Sequence, residues 1–260
     1  MIDSARKFYS QSGEDQILFE IFKDKQQGLC IEVGGFNGID ASNTYFFEKI
    51  GWRCIVIEPI PELCQEIQKN RNCRVFNCAA GNFNGTTKFQ INEQDPIVSA
   101  IAYNNVQLSY QQYLGQTLRE IDVKMEKLDN LLKAENVKEK EIDFISIDVE
   151  GQELNVLQGF SLQKYSPRIL IIEDNLKMTD NQVCQYLSKF GYVRFKRTGV
   201  NDWYAKDTDP LIDSWEVFKL KMKHIKAIFS IFNIRQKIRP LVPSQVVILF
   251  RNLRDSIFTK

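Results

Sequence analysis

Histidine is nearly absent from this chain: His224 is the only one among 260 residues. Histidine titrates near neutral pH and is the most common general base in enzymes. His224 lies in a lysine-rich, amphipathic segment, where it is a poor candidate for catalysis. If the protein has a catalytic base, we therefore expect a carboxylate.

Long apolar runs and paired cysteines are also missing. No run of about 18 apolar residues occurs, so we expect no transmembrane helix. Residues 1–6 lack the apolar core of a signal peptide. The six cysteines form no C-x-x-C pair and no zinc spacing. We expect a cytoplasmic protein, and its net charge of +1 argues against a dedicated nucleic-acid binder.

A short apolar strand that runs into a glycine-rich turn is the most informative stretch, LCIEVGGFNG at residues 29–38. Gly34 and Gly38 permit positive φ and a close approach of backbone to ligand. Glu32 stands at the end of the strand, and open α/β sheets bind ligands at the carboxyl ends of their strands. The sequence therefore predicts a cofactor at this turn.

The spacing of the turn, E-x-G-x-x-x-G, does not fit two phosphate-binding motifs. A dinucleotide fingerprint would need glycines where Phe36 and Ile39 stand, and no Lys-Ser/Thr pair of a P-loop follows. An acidic residue before a glycine turn favours a cationic, phosphate-free ligand such as S-adenosylmethionine. An ordinary strand-to-helix turn is the plain alternative.

A second apolar run, residues 54–57, also ends in a carboxylate, Glu58. Glu58 lies about 20–25 residues beyond the glycine turn, the distance at which a βαβ unit places an acid on ribose hydroxyls. Pro59 ends the strand, because proline cannot donate to a sheet. The sequence thus predicts that Glu58 binds a ribose diol.

Seven short segments resemble the FkbM-type S-adenosylmethionine-dependent methyltransferases over roughly residues 8–205. They are YSQSGED at 9–15, EVGGFNG at 32–38, SNT at 42–44, EP at 58–59, AAG at 79–81, LDNLL at 128–132 and DFISIDVEG at 143–151. The turn departs mildly from the family's usual D-V-G-A-N-x-G but keeps the acid and both spaced glycines. The resemblance implies a Rossmann-like, seven-stranded methyltransferase sheet and S-adenosylmethionine as the cofactor.

The order of predicted elements gives the fold and the domains. Strands alternate with helices and end in a hairpin near 192–205, which predicts an α/β, doubly wound sheet with one antiparallel strand. We place a methyltransferase domain at 1–209 and a basic helical tail at 210–260. Residues 1–210 carry 24 Lys or Arg against 30 Asp or Glu, whereas residues 211–260 carry 10 against 3.

Several segments contribute predicted cofactor-binding residues. The resemblance suggests that segment 8–27 folds over the cofactor as a lid, although its acids at 14 and 15 also suit a helix dipole. The helix start near 42–44 could hold a carboxylate or simply be capped, and the small residues at 79–80 could admit adenine or form a loose turn. The predicted set is Gln11, Asp15, Glu32, Gly34, Gly38, Asn43, Glu58, Ala79 and Ala80.

Two carboxylates follow the fourth central strand. Asp148 is the first candidate for the base that deprotonates a hydroxyl acceptor, and Glu150 is the second. Asp148, Asp174 and Asn175 could instead hold a divalent metal such as Mg²⁺ through oxygen ligands. For these three residues we favour hydrogen bonding to the cofactor and to loops over metal binding.

Two further segments bear on partners. Residues 92–118 form a long polar insertion with Tyr103, Tyr110 and Tyr113, which suits coverage of a hydroxylated acceptor or a surface excursion. In the tail, apolar residues and lysines alternate at helical spacing. That pattern favours packing on the protein's own domain or self-association. The more specific alternative is peripheral contact with the inner face of an anionic membrane.

The sequence therefore favours an S-adenosylmethionine-dependent O-methyltransferase that acts on a hydroxyl of a sugar or glycan-like acceptor. The acceptor class depends on the resemblance alone. A non-catalytic, cofactor- or nucleotide-binding module that organises a glycan-assembly complex is one alternative. An NAD-dependent sugar enzyme is another, but the glycine spacing is wrong and Tyr165 is followed by Ile169 where a Tyr-x-x-x-Lys pair needs lysine.

Overall fold

The computed structural model describes residues 6–96, 99, 101, 115–175 and 182–238, with the backbone alone for 227–238. A seven-stranded sheet has the order β3-β2-β1-β7-β8-β10-β9, and a smaller sheet has the order β4-β6-β5. The strands are β1 (Leu29–Val33), β2 (Arg53–Glu58), β3 (Arg74–Asn77), β4 (Ala79–Ala80), β5 (Gly85–Asn92), β6 (Leu118–Glu126), β7 (Phe144–Ile147), β8 (Ile169–Glu173), β9 (Tyr192–Thr198) and β10 (Asn201–Lys206).

Helices lie between consecutive strands of the large sheet from β1 to β9. They are α1 (Glu14–Ile21), α2 (Tyr45–Lys49), α3 (Pro61–Asn70), α4 (Leu128–Ala134), α5 (Glu153–Gln158), α6 (Leu162–Tyr165), α7 (Gln182–Ser188) and α8 (Ser214–Ile238). Pro61 stands at the first turn of α3, where a missing N–H costs nothing.

The centre of the large sheet is parallel and buried on both faces. β1 pairs in parallel with β2 and with β7, and β7 pairs in parallel with β8. Every residue of β1 and β7 is buried, which explains why these strands are continuous apolar runs rather than alternating ones. The predicted mixed α/β fold with a mostly parallel, seven-stranded sheet is confirmed.

The far edge of the sheet reverses direction. β10 lies between β8 and β9 and is antiparallel to both. Trp203 in β10 is fully buried, and its indole N–H donates to Thr198 Oγ1 at 2.8 Å. The hydroxyl therefore satisfies the one polar atom that this large side chain takes into the core.

Two cores cover the two faces of the sheet. On one face, β-strand residues pack with side chains from α4, α5 and α7, such as Leu132, Leu157 and Leu187. On the other face, Leu18 of α1 and Phe47 of α2 pack with the opposite side of the strands. Helices on both faces are what a doubly wound sheet requires.

The small sheet stands beside the carboxyl end of β3. β4 follows β3 almost directly and pairs with β6, with Ala79 opposite Met125. β5 and β6 form a long antiparallel pair, and the predicted insertion connects them. This arrangement places Ala79 and Ala80 just beyond the carboxyl end of β3, where they pair with the end of β6.

Helix α8 follows the sheet and packs against β9. Val217 and Leu220 of α8 are buried. In the described part of the chain, no helix combines the length and the apolar character that a bilayer crossing needs.

Candidate active site

A cleft opens at the carboxyl ends of β1, β2 and β7. Its lining includes seven of the residues that the sequence singles out, namely Glu32, Gly34, Glu58, Ala79, Ala80, Asp148 and Glu150. Phe36, Ile60, Leu63 and Phe89 provide much of its apolar wall. Strand ends that are far apart in sequence meet here because parallel strands point their carboxyl ends to one side of the sheet.

The glycine turn is pressed between two strands. A Cβ on Gly34 (φ +89°) would lie 1.8 Å from the backbone oxygen of Asp148, and a Cβ on Gly35 would lie 2.4 Å from Val56 Cγ1. Gly34 N–H also donates to the carbonyl of Ile57 at 3.0 Å. Any side chain would push the turn out of place, so these glycines bring bare backbone to the cleft.

Glu58 joins the glycine turn to β2. Its Oε2 accepts from the N–H groups of Gly35 (3.1 Å) and Phe36 (3.0 Å), and its Oε1 accepts from Ile60 N–H (2.9 Å). Burial raises the pKa of Glu58 to about 7, although these N–H groups oppose the rise. The bonds occupy both acceptor positions of Oε2 and one of Oε1, so a ribose hydroxyl would reach the carboxylate through Oε1.

The Glu32 carboxylate is already occupied by protein partners, which does not suit the binding of a cationic ligand. Its Oε2 accepts from Ser42 Oγ (2.7 Å) and Thr44 Oγ1 (2.6 Å), and its Oε1 accepts from Asn43 N–H (2.7 Å). The fully buried guanidinium of Arg71 pairs with Oε2 at 3.1 Å. Glu32 therefore shares the positive charge of Arg71 with Glu48, which pairs with the same guanidinium at 2.6 Å, and the Glu32 carboxylate fixes the loop after the glycine turn.

Gly38 and Asn43 do not line the cleft, contrary to the sequence expectation. Gly38 packs on Ile67 and Arg71 with φ +82°, and its carbonyl accepts from the Arg71 guanidinium. Asn43 turns its side-chain amide to Ser146 Oγ at 2.8 Å. Both residues therefore lie behind the wall of the cleft and do not line it.

The N-terminal segment lies outside the cleft lining too. Gln11 is exposed, and buried Asp15 accepts from Ser10 Oγ at 2.6 Å and from nearby backbone N–H groups. Ser10 forms a bridge with Ala41, which is a lining residue. The described residues of this segment thus contact the cleft wall at Ala41 and do not place Gln11 or Asp15 on a cofactor.

Three carboxyl groups converge beyond β7 and β8. Asp148, Glu150 and Glu173 each offer an oxygen, and these oxygens lie within 4.8 Å of one another. Glu150 adopts φ +54° and Gly151 φ +96°, and the N–H of Gly151 donates to Glu153 Oε1 at 2.9 Å. This left-handed turn directs the chain so that residues 148 and 150 both reach the cleft.

Crowding and burial shift the pKa values of this cluster upward. Burial, reinforced by Asp148, raises the pKa of Glu150 to about 8. Burial and then the two neighbouring carboxylates raise the pKa of Glu173 to about 10. The side chain of Asp148 is exposed toward the cleft, yet the enclosing walls withhold enough solvent to raise its pKa as well. The cluster therefore shares protons near neutral pH.

Asp174 does not belong to this cluster, which changes the predicted metal-binding set of Asp148, Asp174 and Asn175. The Asp174 carboxylate pairs with Arg197 at 3.1 Å, and the same guanidinium bonds its carbonyl oxygen and the Asp202 carboxylate. Asn175 is exposed at the next position. Glu173 occupies the place beside Asp148, because neighbouring side chains in a strand point to opposite faces.

Part of the insertion reaches the cleft. Pro96, Ser99 and Ile101 belong to its lining, and Asn92 N–H donates to Ser99 Oγ at 3.0 Å. Tyr103, Tyr110 and Tyr113 lie outside the described residues. The start of the insertion therefore forms one wall of the cleft.

The lining is acidic and partly apolar. Besides Glu32, which is paired with Arg71, it includes Asp40, Glu58, Asp148 and Glu150, and the described lining contains no lysine, arginine or histidine. Apolar side chains such as Phe36, Leu63 and Phe89 line it as well. Such a surface attracts a cation with an apolar portion and repels a phosphate.

The sequence matches the family model described as the methyltransferase FkbM domain over residues 32–194, more than half of the chain. The chain belongs to this family. The protein is therefore a methyltransferase, and the whole cleft lining, from Glu32 to Glu150, lies within the matched part. No curated protein sequence matches the chain.

Among solved structures, precorrin-6y C5,15-methyltransferase from Geobacter metallireducens GS-15 is similar to this FkbM protein at 12% sequence identity and a TM-score of 0.39. The alignment covers 77% of this chain and 90% of the other.

Proposed function

We propose that this FkbM methyltransferase uses S-adenosylmethionine and methylates a hydroxyl group of a sugar or glycan-like acceptor. The observation that carries the proposal is the acidic cleft at the carboxyl ends of β1, β2 and β7. A ligand with a sulfonium, an ammonium and a ribose fits this lining, whereas a dinucleotide would bring phosphates to a described lining without a basic side chain.

The residues that would hold the cofactor have distinct tasks. Glu58 accepts a ribose hydroxyl through the free position of Oε1, and the bare backbone at Gly34 and Gly35 permits close contact. Ala79 and Ala80 leave room for a flat ring, since both are small and line the cleft. When bound, S-adenosylmethionine supplies an electrophilic methyl group on a positively charged sulfur.

The carboxyl cluster supplies the base. Glu150 lines the cleft with a pKa of about 8, close to the value at which a group both holds and releases a proton at working pH. Deprotonated Glu150 accepts the hydroxyl proton of the acceptor, and the charge of Asp148 raises its basicity. The order of the sequence-based candidates is thereby reversed, with Glu150 ahead of Asp148.

The acceptor class has weaker support than the cofactor. It depends on the family resemblance and on the insertion, whose described residues Pro96, Ser99 and Ile101 line the cleft. A hydroxyl acceptor needs its proton removed, which agrees with a carboxyl group of raised pKa in the cleft.

Transfer of isotope-labelled methyl groups from S-adenosylmethionine to a panel of mono- and oligosaccharides tests the proposal. We expect labelled O-methyl product, and we expect Glu150→Gln to lower kcat by about 100-fold or more while cofactor binding persists. Glu120→Gln, an exposed glutamate on β6, is the matched control and should retain full turnover.

Other outcomes identify the alternatives. Cofactor binding without transfer to any acceptor would favour the non-catalytic module. Turnover that EDTA abolishes and Mg²⁺ restores would assign the carboxyl cluster to a cation and contradict the role of Glu150 as the base.

A further inference from the structure

Helix α8 presents an apolar stripe to solvent. Six large hydrophobic side chains are exposed among the described residues, and four of them lie on α8. They are Trp215 (62% exposed), Phe218 (49%), Met222 (38%) and Ile225 (42%). Their spacing of three or four residues places them along one side of the helix.

The stripe is not the surface that attaches α8 to the domain. Val217, Leu220 and His224 are the buried side chains of this part of the helix, and α8 packs on β9. At 100° per residue these three positions lie on the side opposite Trp215 and Met222. The helix therefore has two apolar faces, of which one packs on the sheet and the other remains exposed in the described structure.

The exposed stripe begins with a stacked aromatic pair and is bordered by positive charge. The rings of Trp215 and Phe218 stack with centroids 5.5 Å apart. Lys219 pairs with Glu216 at 2.6 Å, and three more exposed lysines follow at positions 221, 223 and 226. Residues 211–260 carry 10 Lys or Arg against 3 Asp or Glu, and the rest of the chain has an excess of acid.

Positive charge around the stripe favours an anionic partner over a second copy of the chain. A two-fold dimer through this face would bring the same lysines of both copies together, and like charges at close range repel. An anionic lipid surface instead offers phosphate groups to the lysines and an acyl boundary to the aromatic rings.

We propose that the stripe of Trp215, Phe218, Met222 and Ile225 docks the protein on an anionic membrane surface. Helix α8 lies in the plane of the interface, its exposed apolar side chains enter the headgroup region, and the lysines reach the anionic headgroups along their flexible stems. The acidic domain stays in water.

Flotation of the full-length protein with lipid vesicles tests the proposal. We expect binding to vesicles that mix phosphatidylglycerol with phosphatidylcholine and little binding to phosphatidylcholine alone. The double variant Trp215→Ser/Phe218→Ser should weaken binding at least about tenfold, because two large apolar side chains no longer leave water. Lys221→Glu/Lys223→Glu should weaken it by about fivefold or more for each lysine, and added salt should weaken wild-type binding.

The matched control is Ile50→Ser/Phe83→Ser, which removes the two exposed large hydrophobics outside α8 (41% and 44% exposed). It should bind anionic vesicles as the wild type does, and circular dichroism should show all variants folded. Equal binding by wild type and Trp215→Ser/Phe218→Ser would overturn the proposal. A wild-type dimer that the same double variant converts to a monomer, with no vesicle binding, would assign the stripe to a second copy and overturn it equally.

Discussion

Glu150 and its neighbours Asp148 and Glu173 form an acidic group at the ends of two parallel strands. Each carboxylate makes the ionisation of the others less favourable, so protons leave the group in coupled steps. Because the folded state raises these pKa values, it binds protons more tightly than the unfolded chain does near neutral pH. The contribution of the cluster to stability is therefore fully present below the ordinary glutamate pKa of 4.5 and is lost as pH rises from there through about 8 to 10.

Substitution of Asp148 by asparagine tests this coupling. After burial, Asp148 is the main cause of the raised pKa of Glu150, so Asp148→Asn should lower that pKa toward its ordinary value, by about one pH unit. In the wild type, turnover should rise with pH through about 8, because Glu150 acts in its deprotonated form. The acidic limb of the kcat profile should move to lower pH in the variant.

The melting temperature gives an independent measurement of the same coupling. Between about pH 7 and 10 it should fall more in the wild type than in Glu173→Gln, since the variant has one fewer group to ionise against its neighbours. Glu120→Gln should leave both curves unchanged. Identical kcat profiles for wild type and Asp148→Asn would show that Glu150 does not titrate with this cluster.

The N-terminal segment connects helix α1 to the β9–β10 hairpin at the far edge of the sheet. Glu14 is fully buried at the start of α1. Its Oε1 accepts from Thr198 Oγ1 (2.7 Å) and Asn201 Nδ2 (3.0 Å), and its Oε2 accepts from Ser12 N–H (2.8 Å). One carboxylate therefore ties α1 to both strands of the β9–β10 hairpin.

Removal of this carboxylate should destabilise the fold. Glu14→Ala leaves the donors at Thr198 and Asn201 without their partner, at a cost of about 1–3 kcal/mol. For a chain of this size we expect the melting temperature to fall by roughly 2–10 °C. Calorimetric melting of Glu14→Ala beside Glu20→Ala, an exposed glutamate of the same helix, measures the effect. An equal melting temperature for both variants would contradict the role of Glu14 in holding α1 to the hairpin.

The sequence predicted the elements around the cleft well because local patterns determine them. β1, β2, β7 and β8 are apolar runs that end near an acid, and the glycines at 34 and 35 mark a turn that no side chain can enter. Glu173 ends β8 as Glu58 ends β2, so the same signal was present for it.

Long-range pairing accounts for most of what the sequence did not predict. No local pattern indicates that Arg71, 39 residues beyond Glu32, pairs with that carboxylate. Likewise Asp174 was expected beside Asp148, but Arg197 on β9, 23 residues away, holds it. Both corrections depend on tertiary contacts between charged side chains rather than on strand or helix patterns.

At the scale of the whole molecule, charge is divided between an acidic domain and a basic tail. Among the acids of the domain, Glu58, Asp148 and Glu150 line the cleft at the strand ends. The tail carries the lysines on an exposed helix. This separation is consistent with a cationic cofactor in the cleft and an anionic surface at α8, two partners of opposite charge at two sites.

Calorimetric titration of the purified protein with S-adenosylmethionine, and separately with NAD, tests the central claim most directly. We predict micromolar binding of S-adenosylmethionine and none of NAD. Glu58→Ala should weaken S-adenosylmethionine binding by about tenfold or more through loss of a charged hydrogen bond, whereas Glu62→Ala, an exposed neighbour on α3, should not. Binding of NAD without binding of S-adenosylmethionine would contradict the assignment of the cleft.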